Sequence, residues 1–198
     1  MKPRSRRAPH APFLTRWIGA AAVSIACAVL IPVARGASLA PDGVDLTFGQ
    51  GDNVFVSGAG LNWSSLCECR DLKSYGFDTR LEAQLTHWHA QVHPTEHGSL
   101  WDVGLTPMLR WLVPGAPAVQ PFVELGVGVH LLSHTRINNE RVLSTAFQFG
   151  ENGGAGIRFG EHHRFELGVY VQHESNARIK EPNSGLTYFG GVLRVAFP

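Results

Sequence analysis

The chain has 198 residues, the length of one domain, and its formal net charge of +1 excludes the strongly basic surface that a nucleic-acid partner would need. Charged residues make up only 17% of the chain, whereas hydrophobic residues make up 44% and glycine occurs 22 times. This composition is typical of a sheet that hides polar groups on one side and presents apolar groups on the other.

A basic and then apolar segment opens the chain. Lys2 and four arginines up to Arg16 precede the apolar run 17–30, and Ala34 and Gly36 place small residues before a cleavage site. This pattern predicts a secretory signal peptide over residues 1–36, which leaves 37–198 as the mature domain. The alternative is an uncleaved anchor, which is disfavoured because the apolar run is short.

Segments with period-two alternation fill the mature chain. From Trp101 to Trp111 the odd-numbered residues are apolar, whereas the even-numbered ones include Asp102 and Arg110. Alternation of this kind predicts β-strands with one apolar and one polar face. Eight such segments are present, near 43–49, 53–63, 77–92, 100–112, 120–133, 144–159, 164–175 and 185–197.

The two faces of these strands predict the architecture. The polar face carries mostly glycine and isolated charges, which suits the packed interior of a small barrel, and the apolar face suits lipid. We therefore predict an all-β fold, an eight-stranded antiparallel transmembrane β-barrel in the cell outer membrane. The predicted outer loops are 64–76, 93–99, 134–143 and 176–184, and the turn 160–163 is expected to be periplasmic. Candidates for interfacial aromatic girdles are Trp63, Trp88, Trp101, Trp111, Tyr170 and Tyr188.

Two polar residues interrupt the apolar face at the end of the seventh segment. His173 and Ser175 share the parity of Val171, so they should face outward, where unpartnered polar groups are costly. Residues two apart on a strand lie about 6.5–7 Å apart on one face, so a histidine base can reach a serine nucleophile. Taken on spacing alone, a polar strand end running into a loop is the simpler interpretation.

The loop that follows supplies hydrogen-bond donors. Asn176, Ala177 and Asn183 offer backbone and amide N–H groups where the chain turns. Such groups are candidates for stabilising the oxyanion that forms when a nucleophile attacks an ester.

The run from His173 to Gly185, HESNARIKEPNSG, resembles the signature of the lipid A 3-O-deacylases. That family comprises eight-stranded outer-membrane barrels that remove the ester-linked acyl chain at position 3 of lipid A. The segments 121–129 and 154–159 are similar to the family's central strands, so the resemblance extends over roughly 100–197 and reaches the first strands only by pattern.

The resemblance implies a role for each matching residue. Ser175 matches the nucleophile, His173 the general base and Asn183 the loop asparagine of the oxyanion hole, with Asn176 and Ala177 beside it. Phe149 lies where the family has a phenylalanine near the site. The implied substrate is lipid A within lipopolysaccharide, and no cofactor or metal is expected.

The sequence departs from the family at Thr187. The family's third triad member is a glutamate two residues beyond the glycine that matches Gly185, and Thr187 occupies that position. A threonine facing His173 can accept a hydrogen bond, but it cannot stabilise an imidazolium by charge. Three interpretations stay open: a Ser-His dyad oriented by Thr187, which is slightly preferred; a carboxylate from Glu181 or Glu151; or a weakened enzyme.

Other polar residues bear less directly on function. Four histidines cluster near the third segment, but no cysteine or paired carboxylate completes a metal site with them: His87, His89, His93 and His97. Cys67 and Cys69 either form a strained local disulfide or remain thiols.

The sequence leaves three functions to separate. The first is an esterase acting on lipid A, and the second is a non-catalytic structural or adhesive barrel, which the missing glutamate favours. The third is a related acyl hydrolase with another lipid substrate. The oligomeric state is open, a homodimer included.

Overall fold

The computed structural model describes residues 40–64, 70–115 and 118–198. The predicted signal peptide at 1–36, together with Cys67 and Cys69, lies outside the described residues, so both remain predictions. Within the described ranges, no helix is long and apolar enough to cross a membrane.

Eight antiparallel strands close into one barrel. They are β1 (Gly43–Gly51), β2 (Val54–Ser64), β3 (Phe77–Ala90), β4 (Ser99–Leu112), β5 (Val119–Leu132), β6 (Phe147–Phe159), β7 (Phe165–Ser175) and β8 (Leu186–Ala196). Each strand pairs with its neighbour in sequence, and β1 pairs with β8 to complete the ring. In the part of the chain that the structure describes, the only helical elements are α1 (Arg70–Ser74) and a short turn at Glu161–His163. The predicted all-β, eight-stranded fold is confirmed.

Exposure alternates along the strands with the predicted parity. In β7, Leu167 and Val169 are 54% and 67% exposed, whereas Glu166 and Tyr170 are 5% and 8% exposed. The outer wall is therefore largely apolar, as expected of strands that face lipid. Because the sheet is closed, the strands have no free edge in the hydrocarbon.

Buried charges fill the lower half of the barrel interior, the half that contains the start of β1 and the end of β8. The Glu166 carboxylate accepts two hydrogen bonds from Arg80, at 3.0 and 2.8 Å, and two from Arg110, at 3.2 and 3.1 Å. Arg194 donates to Glu124 at 2.8 Å. Paired charges of this kind are tolerated inside a small barrel because each has several partners.

The upper half of the interior contains an apolar and aromatic cluster beside buried polar side chains. Trp88 and Tyr188 meet edge to face, with ring centroids 5.8 Å apart. Ile137 and Leu143 from the loop 133–146 are fully buried in the same cluster, so this loop folds over the upper end of the barrel.

Three aromatic residues that were predicted for the interfacial girdles lie inside the barrel instead. Trp88, Tyr170 and Tyr188 are at most 8% exposed, whereas Trp101 and Trp111 are 52% and 37% exposed on the outer wall. The reason is parity: even-numbered positions of β3, β7 and β8 face inward, and nearness to a strand end does not change that.

The prediction that 64–76 is an outer loop is wrong. Successive connections alternate between the two ends of an up-and-down barrel, so the described part of the connection after β2 lies at the lower rim with the turn 160–164, the start of β1 and the end of β8. The upper rim carries the connections 52–53, 91–98, 133–146 and 176–185. Loop length alone does not identify the end of the barrel.

We expect Glu166→Gln to lower the free energy of unfolding by about 3–5 kcal/mol, because it leaves buried guanidinium groups short of a carboxylate. Urea unfolding of the protein refolded in lipid vesicles measures this loss. The matched control is Glu161→Gln, since the Glu161 side chain is 89% exposed in a lower turn. Equal stability of the two variants would show that the buried network contributes nothing.

Candidate active site

The predicted catalytic residues lie on the outer wall at the upper end of β7. His173 and Ser175 continue the outward parity of Val169 and Val171, and both are half-buried. Across the sheet, His173 pairs with Thr187 of β8, and Ser175 pairs with Phe149 of β6. The strand register thus gathers these four residues into one patch just below the rim.

The His173 ring is fixed from the side of β8. His173 Nδ1 lies 2.8 Å from Thr187 Oγ1, and the Thr187 backbone N–H donates to Asp52 Oδ2 at 2.7 Å. With Nδ1–H donating to the threonine hydroxyl, Nε2 is the ring nitrogen left to accept a proton. A hydroxyl therefore occupies the orienting position for which the family uses a carboxylate.

Gly185 packs against the other edge of the His173 ring. Its φ of +61° suits glycine, and a Cβ built there would lie 2.8 Å from His173 Cε1 and 3.2 Å from Nε2. The backbone of the loop 176–185 therefore packs directly against the imidazole.

Ser175 is free to react. No described residue forms a hydrogen bond with its hydroxyl, His173 included, although the two side chains share a face. Catalytic hydrogen bonds are often long in the absence of substrate and shorten when it binds. Beyond Ser175 the chain turns sharply, since Ala177 and Arg178 have φ of +50° and +66°.

Asn176, one of the predicted oxyanion residues, is hydrogen-bonded to the loops of the upper rim. Its side chain is fully buried, and Nδ2 donates to the carbonyls of Leu143 and Lys180, both at 2.8 Å. Its backbone N–H donates to Asn183 Oδ1 at 3.3 Å. As the residue after Ser175, Asn176 has inward parity, so its amide braces the loops instead of facing the serine.

Asn183 keeps a free donor. Its Oδ1 accepts from Asn176, and its backbone N–H donates to Glu181 Oε2 at 2.9 Å, while its Nδ2 group is bonded to none of the described residues. The amide is thus held by its oxygen with the nitrogen left for a ligand. Asn183 and the Ala177 backbone remain the candidate oxyanion donors.

Aromatic rings line the wall beside Ser175. Phe149, opposite the serine, packs edge to face with Phe147, with ring centroids 5.0 Å apart. This apolar surface is suited to hold an alkyl chain next to the nucleophile.

A polar network that the sequence did not predict braces β7 from inside. Glu174, between His173 and Ser175, is fully buried and accepts from Gln172 Nε2 at 2.7 Å. His130 Nδ1 lies 2.9 Å from Asp102 Oδ2 and 3.5 Å from Glu174 Oε1. The feature of the sequence that could have predicted this network is the inward parity of its polar residues. Gly104 is a second such feature, because its lack of a side chain leaves room for the His130 ring.

The histidines that cluster in the sequence do not form one group in the structure. On the outer wall the ring centroids of His87 and Trp101 are 4.8 Å apart. His97 instead stacks on His134, with ring centroids 4.2 Å apart. Among the described residues, the one group with the donor set of a metal site is the interior trio Asp102, His130 and Glu174. In that trio His130 Nδ1 already lies within hydrogen-bond distance of Asp102 Oδ2, so the trio serves as a brace.

Gly185→Ala should displace the His173 ring, because the new methyl group would occupy the space beside Cε1. Nitrogen-15 spectra of labelled histidine in lipid nanodiscs should show loss of the His173 to Thr187 hydrogen bond. Gly115→Ala is the control, since Gly115 has a φ of +75° but no atom within 4 Å of the place that its new methyl group would take. Identical His173 spectra in both variants would contradict a packing role for Gly185.

Comparison with known proteins agrees with this geometry. The sequence model of the family described as Lipid A 3-O-deacylase (PagL) matches residues 57–196. The Lipid A deacylase PagL of Bordetella bronchiseptica is 30% identical over 145 residues, which cover 73% of this chain and 77% of that protein. The Lipid A deacylase PagL of Pseudomonas aeruginosa is 36% identical over 78 residues, 39% of this chain and 43% of that protein.

A solved structure shares the fold. The crystal structure of the outer membrane enzyme PagL superposes with a TM-score of 0.65 at 23% identity, and the match covers 78% of this chain and 99% of that chain. The resemblance that the sequence predicted is confirmed. The chain belongs to the lipid A 3-O-deacylase family, which makes it an ester-hydrolysing enzyme of the outer membrane.

Proposed function

We propose that the chain removes the ester-linked acyl chain at position 3 of lipid A, with Ser175 as nucleophile and His173 as general base on the lipid-facing wall. The observation that carries this mechanism is the 2.8 Å hydrogen bond between His173 Nδ1 and Thr187 Oγ1. It holds the ring on the outer face beside Ser175 and leaves Nε2 to take the serine proton.

The position of the pair suits an amphiphilic substrate. Below the patch the outer wall is apolar, with Val169 and Phe189 exposed at 67% and 65%, whereas above it lie the polar loops of the upper rim. Acyl chains can lie along the wall beside Phe149 while the sugar head group stays at the rim. The names of the curated relatives point to the same substrate, lipid A.

The reaction proceeds in two proton-balanced stages. Ser175 Oγ attacks the ester carbonyl while its proton passes to His173 Nε2, and the intermediate collapses when that proton moves to the departing sugar oxygen. Water then attacks the acyl-serine with His173 again as the base, which releases the fatty acid and restores both side chains. None of these steps needs a cofactor.

Two donors are assigned to the developing oxyanion. Asn183 Nδ2 is free of bonds to described residues, and the Ala177 backbone N–H lies in the turn just beyond the nucleophile. Fixed donors of this kind stabilise the transition state without reorganisation. The predicted signal peptide at 1–36 belongs to the same proposal, since a barrel of the outer membrane must first be exported.

Ser175→Ala should abolish deacylation. Mass spectrometry of lipid A from outer membranes that express the wild type should show loss of one 3-linked acyl chain, and membranes with Ser175→Ala should not. Ser57→Ala is the control, because Ser57 also faces outward and pairs across strands with a histidine, His87. Equal lipid A in wild type and Ser175→Ala would overturn the assignment of the nucleophile.

Thr187→Val should lower kcat by about 10- to 100-fold with little change in KM, because a methyl group replaces the hydroxyl that orients His173. The measurement is steady-state release of fatty acid from purified lipid A in mixed micelles. An unchanged kcat would mean that His173 is oriented by another group.

One observation favours a second candidate, a weakened enzyme of the same family. Thr187 stands where the family has its glutamate, and a carboxylate normally stabilises the imidazolium formed during the reaction. A folded, inserted wild type that deacylates lipid A slowly, and faster after Thr187→Glu, would support this second candidate.

A further inference from the structure

The outer wall of the barrel carries a carboxylate beside the catalytic histidine. Glu151 of β6 is the direct cross-strand partner of His173, on the side opposite Thr187 of β8. It shares the outward parity of Phe149 and is exposed. Side chains directly opposite on neighbouring strands have Cβ atoms about 4.5–5.5 Å apart, so the carboxylate and the imidazole are within reach of each other.

A charge at this place requires a reason. Among the outward-facing positions of the eight described strands, Glu151 is the only carboxylate, and the neighbouring strand β5 presents only apolar side chains there. Charged groups on a lipid-facing wall are destabilising and tend to mark functional sites. Glu151, His173, Ser175 and Thr187 are contiguous on three adjacent strands, so they form one polar patch on the wall.

The other nearby carboxylates are committed elsewhere. Glu181 accepts the Asn183 backbone N–H within its own loop, at 2.9 Å. Glu174 follows His173 directly, but it points into the barrel and is fully buried beside Gln172 and His130. Glu151 is therefore the carboxylate that the sheet register offers to His173.

We propose that Glu151 is a positioning residue that supplies the negative charge which the family's glutamate would otherwise provide. Thr187 orients the ring through Nδ1, and Glu151, from the opposite strand, stabilises the imidazolium that forms when Nε2 takes the Ser175 proton. The two functions of one triad carboxylate are thus divided between two strands. Glu151 exchanges no proton in either stage. This inference rests on the proposed deacylase mechanism.

The test is a double-mutant cycle. Wild type, Glu151→Gln, Thr187→Glu and the double variant are compared for kcat and KM on purified lipid A in mixed micelles. We expect Glu151→Gln to lower kcat by about 10- to 100-fold with KM changed less than about twofold, since the charge acts only in the transition state. In the Thr187→Glu background, Glu151→Gln should lower kcat by less than about threefold, because position 187 then supplies the charge.

Two further variants distinguish a positioning role of the Glu151 charge from a role in keeping the barrel folded. Glu151→Asp keeps the charge and should retain most of the activity, whereas Glu96→Gln, an equal charge change in the exposed loop 91–98, should leave kcat unchanged. Heat-modifiable mobility on gels confirms that each variant is folded. An equal loss from Glu151→Gln in both backgrounds, or no loss in either, would overturn the role of Glu151. A folded wild type without deacylation would instead overturn the mechanism on which the inference rests.

Discussion

The pairing of β1 with β8 is the contact on which the rest of the structure depends. In hydrocarbon an unpaired backbone group costs several kcal/mol, so a sheet that crosses the membrane must have no free edge. Closure over the register from Gly43 and Ala196 to Gln50 and Phe189 meets that condition. It also assigns every strand residue to lipid or to a packed interior, because the side chains alternate with period two.

The site uses both faces of a single strand. On β7, His173 and Ser175 face outward, whereas Gln172 and Glu174 face inward, where Gln172 bonds to Glu174 and to Asn152 of β6. Just beyond β7, Asn176 bonds to the loops of the upper rim. The proposed catalytic pair therefore has a polar network immediately behind it. A site on a strand held in this way is more precisely placed than one on a loop.

Most of the fold could be predicted from the period-two alternation in the sequence. It predicted eight strands, their faces and the outward parity of His173, Ser175 and Thr187, because each depends only on spacing along one strand. Parity along β3 and β8 also gives the interior position of Trp88 and Tyr188, which the girdle prediction overlooked. The sequence did not reveal the side of the loop 64–76 or the bracing role of Asn176. These depend on which strands meet across the closed ring and on how loops fold over its end, which spacing within one segment does not contain.

The interior of the barrel is filled, at one end by ion pairs around Glu166 and at the other by Trp88, Tyr188 and the overlying loop. No path leads to the wall site through such a core, so a lipid substrate arrives by diffusing sideways in its own leaflet. The encounter rate then follows the number of substrate molecules per unit area of membrane. Inert lipid mixed into the same leaflet slows turnover by dilution in two dimensions, even when the total amounts of enzyme and substrate in the sample are unchanged.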